Sequence, residues 1–405
     1  MELNPKDADL NGPTVRDSTA PEGLEFNYAE HAKPLATPWQ VAIERAKMVR
    51  KCKLPAGIIL DPACGSGIQL AAYCAMISRE GLGIELDEPT AHAANSNLLR
   101  VANHGFNSAL MESRIRIGDG TIGEVSQPVA MLHIDPARPR NSRTHGLDEM
   151  APKLPEIFSA WKDHLSEGER GPAILLDLSP RLVESQREEV EAMVDVHWPG
   201  IGKTWVWTSR GKGRIDRLSL WVGQLSSPNI SRRFVRIPPN LKDKPVVIEG
   251  NFSQISELRR PPRKGEHVSI LDAALVESGL ATEFLRNTLQ GQEIIWSISE
   301  GRRPQIHHSD NFSFEDSNLS LLVQATGRIV KLVHSELSET TISHLIDTAR
   351  DYGFGKLTLR VPLEPNLQPR LQGSIDRQLT AKGGSHAGFV AKLPKDPMLL
   401  LCLNS

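Results

Sequence analysis

The sequence predicts an α/β fold: a parallel sheet with helices on both faces. Three observations predict it. From Gly57 onward, short apolar runs of strand length alternate with longer helix-like segments. A glycine-rich turn, Asp61-Pro62-Ala63-Cys64-Gly65-Ser66-Gly67, follows the first run and opens the first helix. Acids then close the next three runs, at Glu85, Asp119 and Asp135.

Residues 24–56 read as a helical lead. Thr37 is placed to cap a helix with Pro38 at its first position, and Val41, Ile43, Ala46 and Val49 supply a buried face. Residues 58–60 then read as a buried strand, 68–77 as a helix and 81–86 as a second strand. A helix over 90–103 is stopped by His104-Gly105. Strands follow at 114–117, 129–134 and 173–178, with helices at 154–165 and 182–194. Runs at 204–208 and 218–222, joined by the turn Gly211-Lys212-Gly213, predict an antiparallel hairpin at one edge of the sheet.

Past Ser226 the alternation stops. Pro238-Pro239 and Pro261-Pro262 mark turns, and 271–289 reads as one or two helices around Gly279. Residues 301–405 form a small α+β module. It has strands at 320–324, 356–361, 388–393 and 398–403 and helices at 342–351 and 369–379.

At 405 residues the chain exceeds one hydrophobic core, which predicts two or three domains. A hydrophobic content of 39% with 24% charged residues is that of an ordinary soluble globular protein, and a net charge of −2 names no partner. The first 25 residues lack an apolar stretch, which argues against a secretory signal, and residues 1–23 are expected to form a disordered tail. No apolar run approaches the roughly 20 residues that span a bilayer, so no membrane partner is expected. Cys52, Cys64, Cys74 and Cys402 contain no C-x-x-C pair, which excludes a redox dithiol and suits a reducing cytoplasm. His307-His308 stands without further ligand spacing, so no metal site is expected.

The chemistry gathers at the strand ends. Gly65 and Gly67 allow the backbone to turn sharply and approach a ligand. Glu85, 24 positions after Asp61, stands where an acid accepts hydrogen bonds from ribose hydroxyls. Asp119, in Gly118-Asp119-Gly120, either closes a plain turn or accepts a bond from an adenine amino group. Asp135 closes the fourth run, in His133-Ile134-Asp135-Pro136-Ala137-Arg138. A dinucleotide fingerprint would place glycine or alanine where Leu70 stands, and a phosphate-binding P-loop would place lysine after Gly67; neither is present.

Together these segments resemble the class I S-adenosylmethionine-dependent methyltransferases, and more closely those with a THUMP-like C-terminal domain. The closer resemblance adds Asp135-Pro136-Ala137-Arg138, Leu178-Ser179-Pro180 and the helix-like stretch from Ile270 to Leu280. It implies a Rossmann-like seven-stranded methyltransferase sheet with an antiparallel edge hairpin over 57–226. A small ferredoxin-like linking segment (227–300) and an α+β THUMP-like domain (301–405) would follow. The implied cofactor is S-adenosyl-L-methionine, with Thr37, Asp61, Cys64, Gly65, Gly67, Glu85, Asp119 and Asp135 as its binding set. Within that set Gly65 and Gly67 bracket the methionine part, Glu85 takes the ribose and Asp119 the adenine. The implied substrate class is RNA, tRNA or rRNA, rather than DNA. The sequence departs from the subfamily at Pro139 and at Asp177, where other members carry arginine and lysine.

Carbon methylation of a pyrimidine needs a cysteine nucleophile, and past Cys74 the chain has only Cys402. Direct transfer to a nitrogen is therefore favoured, with Asp135 accepting or orienting the target N–H. Arg138 would hold a phosphate or a base, or else pair with Asp135 or Asp148. Between Ile201 and Ile270, 14 Lys/Arg face 5 Asp/Glu. This excess, which includes Arg210, Lys212, Arg214, Arg232, Arg233, Arg236 and Arg260, reads as a phosphate-binding stripe or as a solvated surface. Two other readings stand beside RNA methylation: a methyltransferase for a small molecule or protein, and a non-catalytic RNA-binding protein that keeps the fold.

Overall fold

The computed structural model describes residues 1–29, 37–106, 108–137, 146–240, 242–254, 260–380, 384–394 and 397–405. Arg138 and Arg259 lie outside the described residues. By its internal contacts the chain divides into two compact units. The first comprises Met1–Val206, Arg217–Ser231 and Pro239–Pro245; the second, Trp207–Asp216, Arg232–Pro238 and Val246–Ser405.

The first unit begins with β1 (Glu2–Leu3), β2 (Thr14–Arg16), β3 (Glu25–Asn27) and α1 (Trp39–Arg50). The alternating core follows: β4 (Ile58–Asp61), α2 (Ile68–Ile77), β5 (Gly81–Glu85), α3 (Glu88–Asn103), α4 (Ala109–Glu112), β6 (Arg114–Ile117), β7 (Val129–Ile134), α5 (Leu154–Trp161), β8 (Ala173–Leu178) and α6 (Glu184–His197). It closes with β9 (Lys203–Ser209) and β10 (Arg217–Gly223).

The strand order is β1-β6-β5-β4-β7-β8-β10-β9. Strands β6, β5, β4, β7 and β8 are parallel, whereas β10 runs antiparallel to β8. Every residue of β4, β7 and β8 is buried. That is why these strands read as continuous apolar runs rather than alternating ones: helices cover both faces of a parallel sheet. The chain moves outward from β4 through β5 to β6, then returns to β7 on the other side of β4. A reversal of this kind opens a crevice at the carboxyl ends of the two central strands.

The first 23 residues, expected as a disordered tail, are instead ordered. β1 pairs with β6, and β2 with β3. Polar side chains of α3 hold the segment: Asn95 Nδ2 donates to Asn4 O (3.0 Å), Ser96 Oγ to Asp9 O (2.8 Å) and Arg100 to Leu10 O (2.7 Å). The segment in turn supplies the acceptors that the start of α1 needs. Trp39 N donates to Asp17 Oδ2 (2.7 Å) and Gln40 N to Thr19 Oγ1 (3.1 Å). Thr37 is therefore not the cap. Pro38 occupies that position without a side-chain bond, and Thr37 Oγ1 accepts from Arg217 (2.7 Å).

The second unit contains the hairpin of β11 (Arg232–Arg236) and β12 (Val246–Gly250). It continues through β13 (His267–Leu271), α7 (Ala273–Glu277), α8 (Ala281–Thr288), β14 (Ile295–Ile298), β15 (Gln305–His308), β16 (Val323–His334), α9 (Ile342–Asp351), β17 (Phe354–Leu359), α10 (Leu367–Thr380), β18 (His386–Lys392) and β19 (Met398–Asn404). A seven-stranded sheet runs β14-β15-β13-β16-β19-β18-β17, with β17 and β18 its one parallel pair among the described residues. The stretches expected as 227–300 and 301–405 thus contribute to one sheet, since β13 pairs with β16. Ile342, Ile346 and Ala349 of α9 and Leu371, Ile375 and Leu379 of α10 pack with Leu357, Val390 and Leu401 in a core on this sheet. The strand expected over 320–324 is displaced: 3-10 helix occupies Ser317–Leu322, and β16 runs twelve residues from Val323.

Four arginines of the expected phosphate-binding stripe are paired with acids within the fold. Arg210 grips Asp216 (2.9 Å), Arg233 pairs with Glu249 (2.6 Å), Arg236 with Asp272 (3.6 Å) and Arg260 with Glu266 (2.5 Å). Buried Arg232 lies over the rings of Trp207 and Phe252, 5.5 and 4.5 Å from their centroids.

Candidate functional site

A pocket of about 1070 Å³ opens in the first unit at the carboxyl ends of the parallel strands. Thr37, Asp61, Cys64, Gly65, Glu85, Asp119 and Asp135 all line it. Of the expected cofactor set only Gly67 stands back from the wall. Gly67 is nonetheless required there: it caps α2 at φ +69°, and a Cβ would lie 2.9 Å from that of Ala94 on α3. Gly65, at φ +52°, makes the other left-handed step, so the loop bends tightly from β4 into α2.

Glu85, the last residue of β5, accepts from Gly65 N (3.0 Å) on one oxygen and from Asp87 N (2.9 Å) on the other. Burial nevertheless outweighs these donors and raises its pKa. Asp87 caps α3 through Thr90 N (3.0 Å), which separates its structural role from that of Glu85. Asp119 is exposed and accepts from Thr121 N and Oγ1, both at 2.8 Å, which lowers its pKa. Its loop is pinned from below, where the fully buried indole of Trp161 donates to Gly120 O (2.7 Å).

Beneath the pocket lies a polar network that the sequence reading missed. His133 on β7 bridges two carboxylates: Nδ1 is 2.7 Å from Asp61 Oδ2, and Nε2 is 3.3 Å from Asp177 Oδ2. Arg45 of α1 reaches the same Asp177 oxygen and donates to Gln69 Oε1 (3.2 Å). The ring of Tyr73 meets that of His133 edge to face at 5.3 Å. Arg45, Asp61, His133 and Asp177 are each at most 3% exposed, so each charge needs its partner. Burial pulls the His133 pKa down, but Asp61 and Asp177 outweigh it and hold the imidazole up to about 9, so both ring nitrogens donate. For Asp177, burial is overcome by Arg45 and His133, and its pKa falls.

Two cations thereby offset Asp61 and Asp177 and leave Asp135 as the further acid. Burial first, and then the charge of Asp177, raises the Asp135 pKa against the pull of Arg217, His133 and Arg45. Asp135 begins the segment Asp135-Pro136-Ala137, which lines the pocket together with Ser179, Pro180 and Arg181 past the end of β8. Ala137 is held by a two-bond bridge to Ala151 (2.9 and 3.0 Å). Arg138, the other expected catalytic residue, lies outside the described residues.

The fold is shared with a candidate methyltransferase from Porphyromonas gingivalis W83, at a TM-score of 0.59 and 15% identity, over 93% of this chain and 83% of that one. The likeness therefore extends over both units. Weaker likenesses join it to a candidate class I S-adenosylmethionine-dependent methyltransferase of Listeria monocytogenes (16% identity, 51% of this chain and 67% of that one, TM-score 0.34) and to a candidate RNA methyltransferase of Pyrococcus horikoshii (13%, 49% and 91%, 0.33). Of these three, the first bears on the fold. No protein-family model and no curated protein matches the sequence. Among the described residues no helix is long and apolar enough to cross a membrane.

Proposed function

We propose that this chain is an S-adenosylmethionine-dependent methyltransferase that methylates a nitrogen of tRNA or rRNA by direct transfer. In this reading 57–226 is the Rossmann-like catalytic part, and the ferredoxin-like and THUMP-like parts that follow serve the RNA. One observation carries it: a single pocket gathers the Gly65 turn, Glu85, Asp119 and Asp135 from four successive strand ends. The residues suit the cofactor. The turn brings backbone close to the ligand, Glu85 stands at the ribose-binding strand tip, and the volume holds a nucleoside-sized ligand with room for an acceptor.

Gly65 and the loop up to Gly67 would hold the methionine part, Glu85 the ribose and Asp119 the adenine. When bound, the cofactor supplies an electrophilic methyl group on a sulfonium. Asp135 accepts the proton of the target N–H; its raised pKa makes it a better base than an ordinary carboxylate. Pro136, Ala137 and Pro180 offer an apolar wall for a flat base. Cys64 does not act as a nucleophile, because burial first, and then Asp61 and Glu85, push its thiol well above the ordinary range. Cys64→Ala is accordingly expected to retain transfer within about threefold, measured with labelled cofactor.

Glu85→Ala is expected to weaken S-adenosylmethionine binding about 10- to 100-fold in calorimetric titration, the worth of charge-assisted hydrogen bonds lost from one carboxylate. Wild-type protein that is folded and takes up no cofactor would refute the proposal. The acceptor is tested separately, by transfer from labelled cofactor to unmodified RNA followed by nucleoside mass spectrometry. Methylated nitrogen is the expected product.

A further inference from the structure

Five acids, Glu85, Asp87, Asp119, Asp135 and Glu156, line this pocket against two arginines, Arg181 and Arg217, so a base drawn into it meets a net acidic rim. An RNA acceptor therefore needs cations elsewhere on the chain to hold its phosphates. We infer that the second unit carries an RNA phosphate-binding cluster formed by Lys212, Arg214, Arg302, Arg303 and Arg360, an inference that rests on the RNA reading of the pocket.

Three features meet at these residues. The first is the loop after β9. Arg210 clamps Asp216 through its backbone N (2.7 Å), Nε (3.0 Å) and Nη2 (2.9 Å), closing the loop into a narrow tip with Lys212 and Arg214 exposed on it. Gly213 in that tip sits at φ +67°, and a Cβ there would lie 2.4 Å from the carbonyl oxygen of Arg302. Glycine alone lets the tip lie against the β14–β15 connection. The second is Arg303, whose guanidinium donates to the carbonyl of Val361, directly after Arg360. Arg360 is half-buried and its Nε has no protein partner. The Arg303 guanidinium is thereby held by a backbone carbonyl rather than by an acid, near enough to Arg360 and Arg302 to feel their charge.

The third is charge. Burial, then Arg360 and Arg302, depress the Arg303 pKa, and no carboxylate opposes them. Among the described residues no ion pair joins any of the five cations to an acid, whereas Arg210, Arg233, Arg236 and Arg260 in the same unit all have one. Like charges gathered without counter-charges destabilise a fold unless an anion completes them. Guanidinium forks match phosphate oxygens and are weakly hydrated, so phosphodiester groups suit the cluster better than isolated carboxylates do.

The test uses the full-length protein and a fluorescein-labelled hairpin RNA, with affinity read by anisotropy across a salt series. The triple variant Lys212→Glu, Arg214→Glu, Arg302→Glu alters exposed side chains only. It is expected to bind the RNA at least tenfold more weakly and to lower the slope of log affinity against log salt by about 2, as contacts to two or three phosphates are lost. Its titration with S-adenosylmethionine should match wild type. A charge-matched control, Lys162→Glu, Lys331→Glu, Lys356→Glu, should keep both affinity and slope. Equal losses in both variants, or none in the first, would overturn the cluster while leaving the RNA reading intact. Wild-type protein that binds cofactor but no RNA would overturn both the cluster and the RNA acceptor.

Discussion

Asp135→Asn is expected to lower the methyl-transfer rate about 10²- to 10⁴-fold, the range attributed to a positioned general base, and at the same time to leave the protein no less stable. The two effects have one cause. Asp135 sits beside Asp177, and burial together with that neighbour disfavours its charged form. The amide is a neutral isostere, so it removes the repulsion and cannot accept the proton. Activity and stability therefore move apart at this residue, as they do where a site is strained for function. The readouts are single-turnover transfer with saturating cofactor and the thermal midpoint of the same preparation. A rate loss accompanied by a large fall in midpoint would make Asp135 a structural residue instead. In the wild type the acid limb of the rate profile should lie above the ordinary carboxylate range, since the raised pKa keeps Asp135 protonated, and unable to act as a base, to higher pH. That limb should be missing from the residual activity of the variant.

What was legible in the sequence follows from how locally each feature is encoded. β4, β7 and β8 could be read because strands buried on both faces are apolar at nearly every position. The glycine turn and the strand-end acids could be read because their spacing along the chain sets their positions in space. The N-terminal strands could not. β1 to β3 hold two or three residues each, and what orders them is a set of bonds to Asn95, Ser96 and Arg100, some 90 positions away. β16 was expected too early and too short because, of its seven residues before Val330, only Gly327 and Ile329 are buried, so no apolar run marks its course. The partners of the basic residues at 210–260 lie 6 to 36 positions away, at spacings set by loops and strand pairing, so a charge excess looked like a surface stripe. The network of Arg45, His133 and Asp177 did leave a trace: His133 and Asp177 are each the one ionisable residue in a six-residue apolar strand. A charge in such a strand must find a partner, but which partner depends on sheet order.

Asp177→Ala is expected to cost about 3–5 kcal/mol, enough to lower the thermal midpoint of the first unit by about 10 °C. The size follows from what remains: Arg45 and His133 would stay buried, each with its shared acceptor removed. The pH dependence tests the mechanism more sharply. His133 is held at about 9 against an unfolded value near 6.5. Its stabilisation is therefore complete below about pH 6.5 and is lost as pH rises through about 9, an effect of about 3 kcal/mol. Asp177 works in the opposite direction. Its folded pKa is depressed, so its stabilisation is complete above the unfolded carboxylate value near 3.9 and is lost as pH falls through the folded value. Wild-type protein should accordingly show its highest midpoint between about pH 4 and 6.5, with an alkaline decline approaching pH 9. In Asp177→Asn the imidazolium keeps Asp61 and loses one of its two carboxylates, so the alkaline decline should move towards neutral pH. An alkaline limb that stays in place would mean that it does not arise from His133 held by Asp177, and the ionic account of this network would fail. Because His133 also orients Asp61, which lines the pocket, the same variant should bind S-adenosylmethionine more weakly at pH 8 than at pH 6, whereas the wild type should differ little between the two.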